Sequence, residues 1–256
     1  MSNSEVKYLK DRIGKRKSSW ILVIICTCIF IVSFFILNIE TTTRQGINHV
    51  THELKIPLYL KLSNFLDRHW NYQWLVKQIV DKKMDDAEKI ETVYLWTQKH
   101  IILQPSKLPV IDDHVWHIII RGYGTEDQIN DVFATLSNYA GLKAIILFCK
   151  APEGKLPPYI SLAAFFLQGA WRLCDVSMGI KFVNNDNSWA SFDEVIAGVG
   201  KAKSFKIPSN GKPILDYYSY IQKLEKIDLD RLYEVNRSSI QNPLARFLYF
   251  LKDRKI

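Results

Sequence analysis

Residues 20–39 read WILVIICTCIFIVSFFILNI, twenty positions without a charge or a proline. At 1.5 Å of rise per residue, a helix of about twenty apolar residues spans a hydrocarbon core of about 30 Å. No other stretch narrows the outcome as much, because a segment that enters lipid must satisfy its own backbone polar groups and so must be helical. A secretory h-region is shorter, ~7–15 residues, and a small-x-small cleavage site follows it. The sequence here continues NIETTTRQG, with no such site. The reading is an uncleaved signal anchor; its rival, the core helix of a soluble protein, is disfavoured by the length of the run. Just before it stand Lys7, Lys10, Arg12, Lys15, Arg16 and Lys17, against Glu5 and Asp11. By the positive-inside rule this basic cluster places the N-terminus in the cytoplasm and everything after residue 40 in the periplasm or outside the cell.

The basic tail also accounts for half of the formal net charge of +8. The remainder is spread over more than two hundred residues with no basic-aromatic motif, which excludes a nucleic-acid-binding reading. Hydrophobic residues make up 48% and charged ones 23%, ordinary for a globular domain with a sizeable core. Of the four cysteines, Cys26 and Cys28 lie inside the span as small hydrophobes. Cys149 and Cys174 fall on strands that a meander would set two spacings apart. At ~4.8 Å per spacing this exceeds the Cα separation of a disulfide, so two buried thiols are expected.

The expected organisation is a cytoplasmic tail over residues 1–19, the anchor over 20–39, and a stem with N-terminal helices over 40–84. An α+β domain over 85–200 and a helical extension over 201–256 follow. Residues 40–55 are polar and without period. Pro57 to Lys83 reads as one or two packed helices, and Asp85 or Asp86 caps a helix whose Ile90, Val93, Tyr94, Thr97 and Ile101 share a face. Residues 104–109 form a loop. His114 and His117, beside Asp112 and Asp113, give half of a zinc site with no third ligand at standard spacing, so no metal is expected. Three strand-like runs follow, 143–149, 159–167 and 170–176, the last two joined by a tight turn at Gln168-Gly169. Trp189 to Gly198 reads as a short helix. A loop from Lys201 to Pro213 leads to helices around 216–226 and 239–252.

The centre of the chain is RGYGTEDQINDVF, residues 121–133. Gly122 and Gly124 frame a turn, as residues that accept φ > 0 or a close neighbour. Thr125 is a ready N-cap, and Ile129, Val132, Phe133, Leu136 and Ala140 make one continuous helical face. Gly141 stands where a C′ glycine belongs.

This stretch resembles the core of a transglutaminase-like domain, related to the papain fold. There a segment of the type R-G-Y-G-x-C-D-Q opens a buried helix with the nucleophilic cysteine. The resemblance covers about residues 85–198 and is carried by RGYGTEDQ with its helix and GLKAIILF, by SLAAFFLQGAWRLCD, and by WASFDEVIAG. It implies an α+β fold in which a central helix packs on an antiparallel sheet. It also implies a site where a Cys at the helix N-terminus, a His on the sheet and an Asp at the next strand's end converge. The helix N-terminus and the imidazolium lower the thiol pKa, and the Asp orients the imidazole. The RGYGTEDQ match puts Glu126 at the Cys position, and alignment on Trp171 and Asp175 puts Ile160 at the His position, with Ser161 or Tyr159 available at one position of slack. Only the Asp175 corner is kept.

Without nucleophile and base, acyl transfer of the family type is lost, because neither acts alone. The expected function is a membrane-anchored, non-catalytic module that binds or scaffolds at the cell envelope. Its groove candidates are Tyr123, Gln128 and Trp171, and its partners peptides, proteins or envelope components; no cofactor is expected. The competing reading is a hydrolase or acyltransferase with a rearranged site built on Glu126 and Asp175, with Asp127 nearby. A nucleophilic Cys149 or Cys174 is disfavoured by its apolar strand, where a thiol stays protonated. For Asp175, a turn residue bonded to nearby amides is the plain alternative.

Overall fold

A computed structural model describes residues 3–47, 50–105, 107–108, 112–150, 153, 157–204, 217–221, 224 and 227–236. The chain forms two compact units. The first takes in the long helix α1 (Asn3–Leu37), most of a hairpin of β1 (Glu40–Ile47) and β2 (Val50–Pro57), and the start of α2 (Leu58–Ile79). Trp20–Leu37 is long and apolar enough to cross a membrane, and none of it is buried against protein. Polar groups in and just after this run bond within the helix: Thr27 Oγ1 donates to the Val23 carbonyl at 2.8 Å, and Asn38 Nδ2 donates to the Phe34 carbonyl at 2.8 Å.

The expected stem at 40–55 is thus a β-hairpin. In β1 (ETTTRQGI) no apolar alternation marks the strand, whereas in β2 Val50, Leu54 and Ile56 fall on one face. The chain returns to its starting point, where the Leu58 amide donates to the Ile39 carbonyl at 2.9 Å.

The second unit is an α+β domain. Asp85 caps α3 (Asp86–His100) through a reciprocal box with Glu88, at 2.8 and 2.9 Å. A parallel two-residue pair, β3 (Ile102–Leu103) with β4 (Tyr123–Gly124), flanks the short helix α4 (Val115–Arg121). The central helix α5 (Glu126–Tyr139) follows, with Thr125 at its N-cap.

Then comes an antiparallel sheet of five strands in sequential order: β5 (Ala144–Lys150), β6 (Tyr159–Leu167), β7 (Ala170–Asp175), β8 (Ile180–Val183) and β9 (Lys201–Ser204). The expected three-stranded meander is its first part. Gln168 and Gly169 turn the β6–β7 hairpin with φ of 52° and 80°, a turn that needs two left-handed residues. The strand β8 is four residues long, and β9, KAKS, was expected to open a loop. Neither carries an apolar alternation long enough to read, and β9 is set by pairing with β8.

Ser191 caps α6 (Phe192–Ile196), and α7 (Tyr218–Ile221) and α8 (Leu229–Asn236) follow. The expected helix at 216–226 is described only in part, and that at 239–252 lies outside the described residues.

The sheet buries both faces. On one, Ala163, Phe165 and Leu167 of β6 meet Ile129, Val132, Phe133 and Leu136 of α5 and Ile90, Val93 and Tyr94 of α3. On the other, Ile160, Leu162 and Ala164 pack with Trp171, Leu173 and Phe182, under Tyr217, Tyr220 and Ile221. This alternation is the two-residue period of a strand. Cys149 and Cys174 are buried free thiols, on the first and third strands of the meander.

Candidate functional site

The entry to α5 is held by Arg121. Its Nε donates to the Tyr123 carbonyl at 2.8 Å, Nη1 to the Asp112 carbonyl at 2.9 Å and Nη2 to Gln128 Oε1 at 2.6 Å. Gln128 is buried and spends its amide on structure. Its Oε1 also accepts from the Thr125 amide at 3.2 Å, and its Nε2 donates to Asp113 Oδ1 at 2.7 Å. Gly122 closes α4 at φ 72°, a left-handed position. At Gly124 a Cβ would stand 3.1 Å from Gln128 Cβ and from Ile118 Cγ2, so a larger residue there requires those side chains to shift by a few tenths of an ångström.

Below this entry lies a buried polar knot joining helix to sheet. Asn130 is fully buried, one helical turn after Glu126. Its Nδ2 donates to the carbonyl and the Oγ of Ser161 at 3.1 Å each and, more distantly, to Asp175 Oδ1 at 3.5 Å. Its Oδ1 accepts the Val176 amide at 2.9 Å.

Asp175, 4% exposed, ends β7 between the two faces of the sheet. Its Oδ1 accepts from Ser177 Oγ at 2.6 Å and the Met178 amide at 3.1 Å, and its Oδ2 accepts from Tyr217 Oη at 2.9 Å. Burial pushes the Asp175 carboxyl above its ordinary value, and these donors work against that shift. The Tyr217 phenol is raised by burial and by the neighbouring Asp175 charge.

Of the three corner positions read from the sequence, Ile160 stands apart, while burial, and after it the Asp175 and Glu126 charges, raise the Tyr217 phenol. Glu126 is exposed in the first turn of α5. Ile160 points away from α5 into the cluster on the opposite face of the sheet, and its neighbour Ser161 faces the helix. A slip of one residue exchanges the faces of a strand, and Ser161, the position offered by one residue of slack, is the one that meets α5. Asp175 lies where it was expected, and the α5 side chain that reaches it is Asn130.

The groove candidates do not form one surface either. Trp171 packs in the far cluster against Phe166 and Tyr233, Gln128 is buried in the helix cap, and Tyr123 is half-buried under the Arg121 guanidinium, 5.4 Å from its ring centre. Asn130 and Tyr217 are the site residues that sequence reasoning passed over. An Asn beside an apolar helical face was a readable signal. Nothing in the local sequence pointed from Tyr217 to Asp175, forty-two positions away.

The histidines are also committed. His117 Nδ1 pairs with Asp112 Oδ2 at 2.7 Å, and His114 meets the Arg68 guanidinium. Burial pushes Asp112 upward, but hydrogen bonds from His117 and the His114 amide, with the nearby Arg121 charge, hold it below the usual carboxylate range. Among the described residues no group of three or more His, Cys, Asp or Glu could hold a metal ion. The thiols are unreactive in kind: burial pushes Cys149 up to about 12, and burial together with the Asp175 charge raises Cys174.

No family model matches the chain, and no curated protein matches it. Solved structures do. A proposed protease from Parabacteroides distasonis is 12% identical over 52% of this chain and 35% of its own, with a TM-score of 0.36. A proposed cysteine protease from Cytophaga hutchinsonii is 13% identical over 52% and 46%, at 0.37. A TGase is 13% identical over 70% and 54%, at 0.36. The chain thus spans between 35% and 54% of the length of these neighbours. Likeness at this level assigns no role to any residue.

Proposed function

We propose that this protein is a membrane-anchored module with a transglutaminase-like frame that acts by binding at the cell envelope and not by acyl transfer. The observation that carries the reading is the state of Asp175. Both carboxylate oxygens are already occupied by donors from within the domain, and the adjoining side chains are Asn130, Ser161, Ser177 and Tyr217. A triad needs its Asp to orient a base, and here that carboxylate orients a phenol and an amide instead. Ser161 Oγ accepts from an amide nitrogen, which does not activate a hydroxyl as a nucleophile.

The same geometry weighs against the rival hydrolase built on Glu126 and Asp175. A general base needs a lone pair directed at substrate, and Asp175 is buried with its oxygens engaged. The frame around the knot supports the family reading: a capped helix entry, then a strand, then a strand ending in Asp175. The apolar Trp20–Leu37 helix supports anchoring, with the basic tail inside and the domain in the periplasm or outside. Partners in this reading are peptides, proteins or envelope components met by the exposed rim around Tyr123 and Glu126. No cofactor is invoked.

The test is an activity assay on the full chain in detergent, with amine incorporation into a protein substrate and peptide hydrolysis as readouts. The expected result is no turnover above blank. Turnover that disappears in Glu126→Gln or Asp175→Asn would overturn the binding-module reading in favour of the rearranged enzyme.

A further inference from the structure

Residues 65–79 are the part of α2 that belongs to the α+β unit, and the side chains they bury are Tyr72 and Val76. Around these two, the helix meets α4 and α5 through rings. The Tyr72 ring stands edge-on to Trp116 at 5.6 Å and tilted on Tyr139 at 5.0 Å. One turn earlier, Arg68 Nη1 donates to His114 Nε2, and His69 Nδ1 hydrogen-bonds Tyr139 Oη at 2.9 Å.

These two bonds make different demands on a proton. A guanidinium only donates, so His114 Nε2 has to supply a lone pair and the neutral ring carries its proton on Nδ1. Protonation at Nε2 removes that acceptor and turns an N–H toward a cation. His69 bonds Tyr139 in either state, but burial holds its imidazole below the ordinary value. The Tyr139 phenol, itself raised by burial, brings no negative charge to an imidazolium.

The charged groups around this seam are already engaged or are lost on acidification. From the loop before α4, Asp112 accepts from His117 and from the His114 amide, and Asp113 Oδ1 accepts from Gln128 at 2.7 Å. His117 stands ring to ring with His114 at 5.1 Å. From α5, Asp127 Oδ1 accepts from Thr125 Oγ1 at 2.5 Å. Asp131, pushed up to about 7, sheds its charge as pH falls through the same range, while Arg68 keeps its own.

We infer that the seam of α2 with α4 and α5 is an acid-opened clasp, in which neutral His114 and His69 hold residues 65–79 on the domain and their protonation releases them. The clasp is separate from the Asp175 knot and does not depend on the binding reading. The contribution of the two imidazoles is complete above about pH 6.5 and is lost as pH falls below it. Asp131 runs the other way, its neutral form being favoured in the folded state, so global stability blends two opposite slopes and only a local readout separates them.

The test is hydrogen exchange of the full chain in detergent, read by mass spectrometry on peptides from residues 65–79 and, for reference, from α5, with rates corrected for the intrinsic effect of pH. Between pH 7.5 and pH 5.5, protection of residues 65–79 is expected to fall about tenfold relative to α5, the change that accompanies one pK unit. His114→Gln keeps an acceptor close to the Nε2 position and His69→Asn one close to Nδ1, and neither titrates. The double variant is expected to hold its protection within about twofold over the same range. Asp131→Asn is expected to leave the fall in place. Protection that is constant with pH in the native chain overturns the inference, as does a fall that persists undiminished in the double variant or vanishes in Asp131→Asn. Should the double variant be unprotected at pH 7.5 already, the native chain decides: a midpoint outside about pH 5–7 overturns the clasp, and one inside supports it.

Discussion

Asn130→Ala removes the one side chain that ties the central helix to both β6 and the end of β7. In the native protein its Oδ1 satisfies the Val176 amide at 2.9 Å and its Nδ2 serves Ser161 at 3.1 Å. Val176 is 1% exposed and Ser161 5%, so water does not readily replace these partners. Each buried group stranded in this way costs about 1–3 kcal/mol. Stranding the amide and weakening the bonds at Ser161 therefore destabilises the domain by about 3 kcal/mol. For a domain of this size, about 2–4 °C of melting temperature goes with each kcal/mol, so the expected fall is about 6–12 °C. Thermal unfolding of the full chain in detergent, followed by far-ultraviolet circular dichroism, measures it. Asn130→Asp should be no better, because a carboxylate cannot donate to the Ser161 carbonyl and sets a second negative charge beside Asp175. A loss below about 1 kcal/mol in Asn130→Ala would refute the reasoning, since the knot would then contribute no more than a surface contact.

Other outcomes follow from the same structure. Asp131 is half-buried on α5, and its carboxyl is pushed up to about 7, by burial first and then by the nearby Asp127 and Asp113 charges. The native state therefore holds a proton that the unfolded chain releases, so its contribution falls as pH rises from about 4 through about 7. Asp131→Asn should flatten stability against pH over that window and raise stability at pH 8 by about 1–2 kcal/mol, a figure discounted for its partial exposure, as urea titrations at several pH values would show. Lys181, nearly buried, pairs with Glu91 and lies 4.7 Å and 5.0 Å from the ring centres of Tyr94 and Trp189. Glu91→Ala leaves that ammonium without its carboxylate and should cost about 1–3 kcal/mol, against under 1 for an ordinary surface pair; an unchanged urea midpoint would count against it. Differential alkylation at pH 8 should leave Cys149 and Cys174 unmodified in the native protein and modify both in denaturant, since both are buried with raised pKa values; native modification of either would contradict the packing.

Much of the frame was legible because its signals are local. The N-caps at Asp85 and Thr125 stand where the side-chain chemistry requires them. The Gln168-Gly169 turn and the apolar face of α5 are visible in adjacent residues for the same reason. The site was legible only at Asp175. A strand reads the same when shifted by one residue unless something fixes its register, and the shift moved the helix-facing position from Ile160 to Ser161. Trp171 looked like a groove residue because it marked the family pattern, yet its place on β7 turns it to the far face. Strands β1 and β9 escaped notice because ETTTRQGI and KAKS carry no apolar period and are defined by what they pair with.

The sequence by itself determined the apolar helix at Trp20–Leu37, the basic flank before it, the capped central helix and Glu126, not a cysteine, in that helix's first turn. Each of these is a property of residues close together in the chain, where length, spacing and side-chain chemistry suffice. Which groups meet was decided by the tertiary structure. Asn130 finds Ser161 and Val176, and Asp175 finds Tyr217, across separations of 31 to 46 residues. Those pairings exist because β5 to β9 stack in order and α5 closes over one face while Tyr217 closes over the other. A buried polar group must find its partner wherever the fold sets one, and no local pattern records that address.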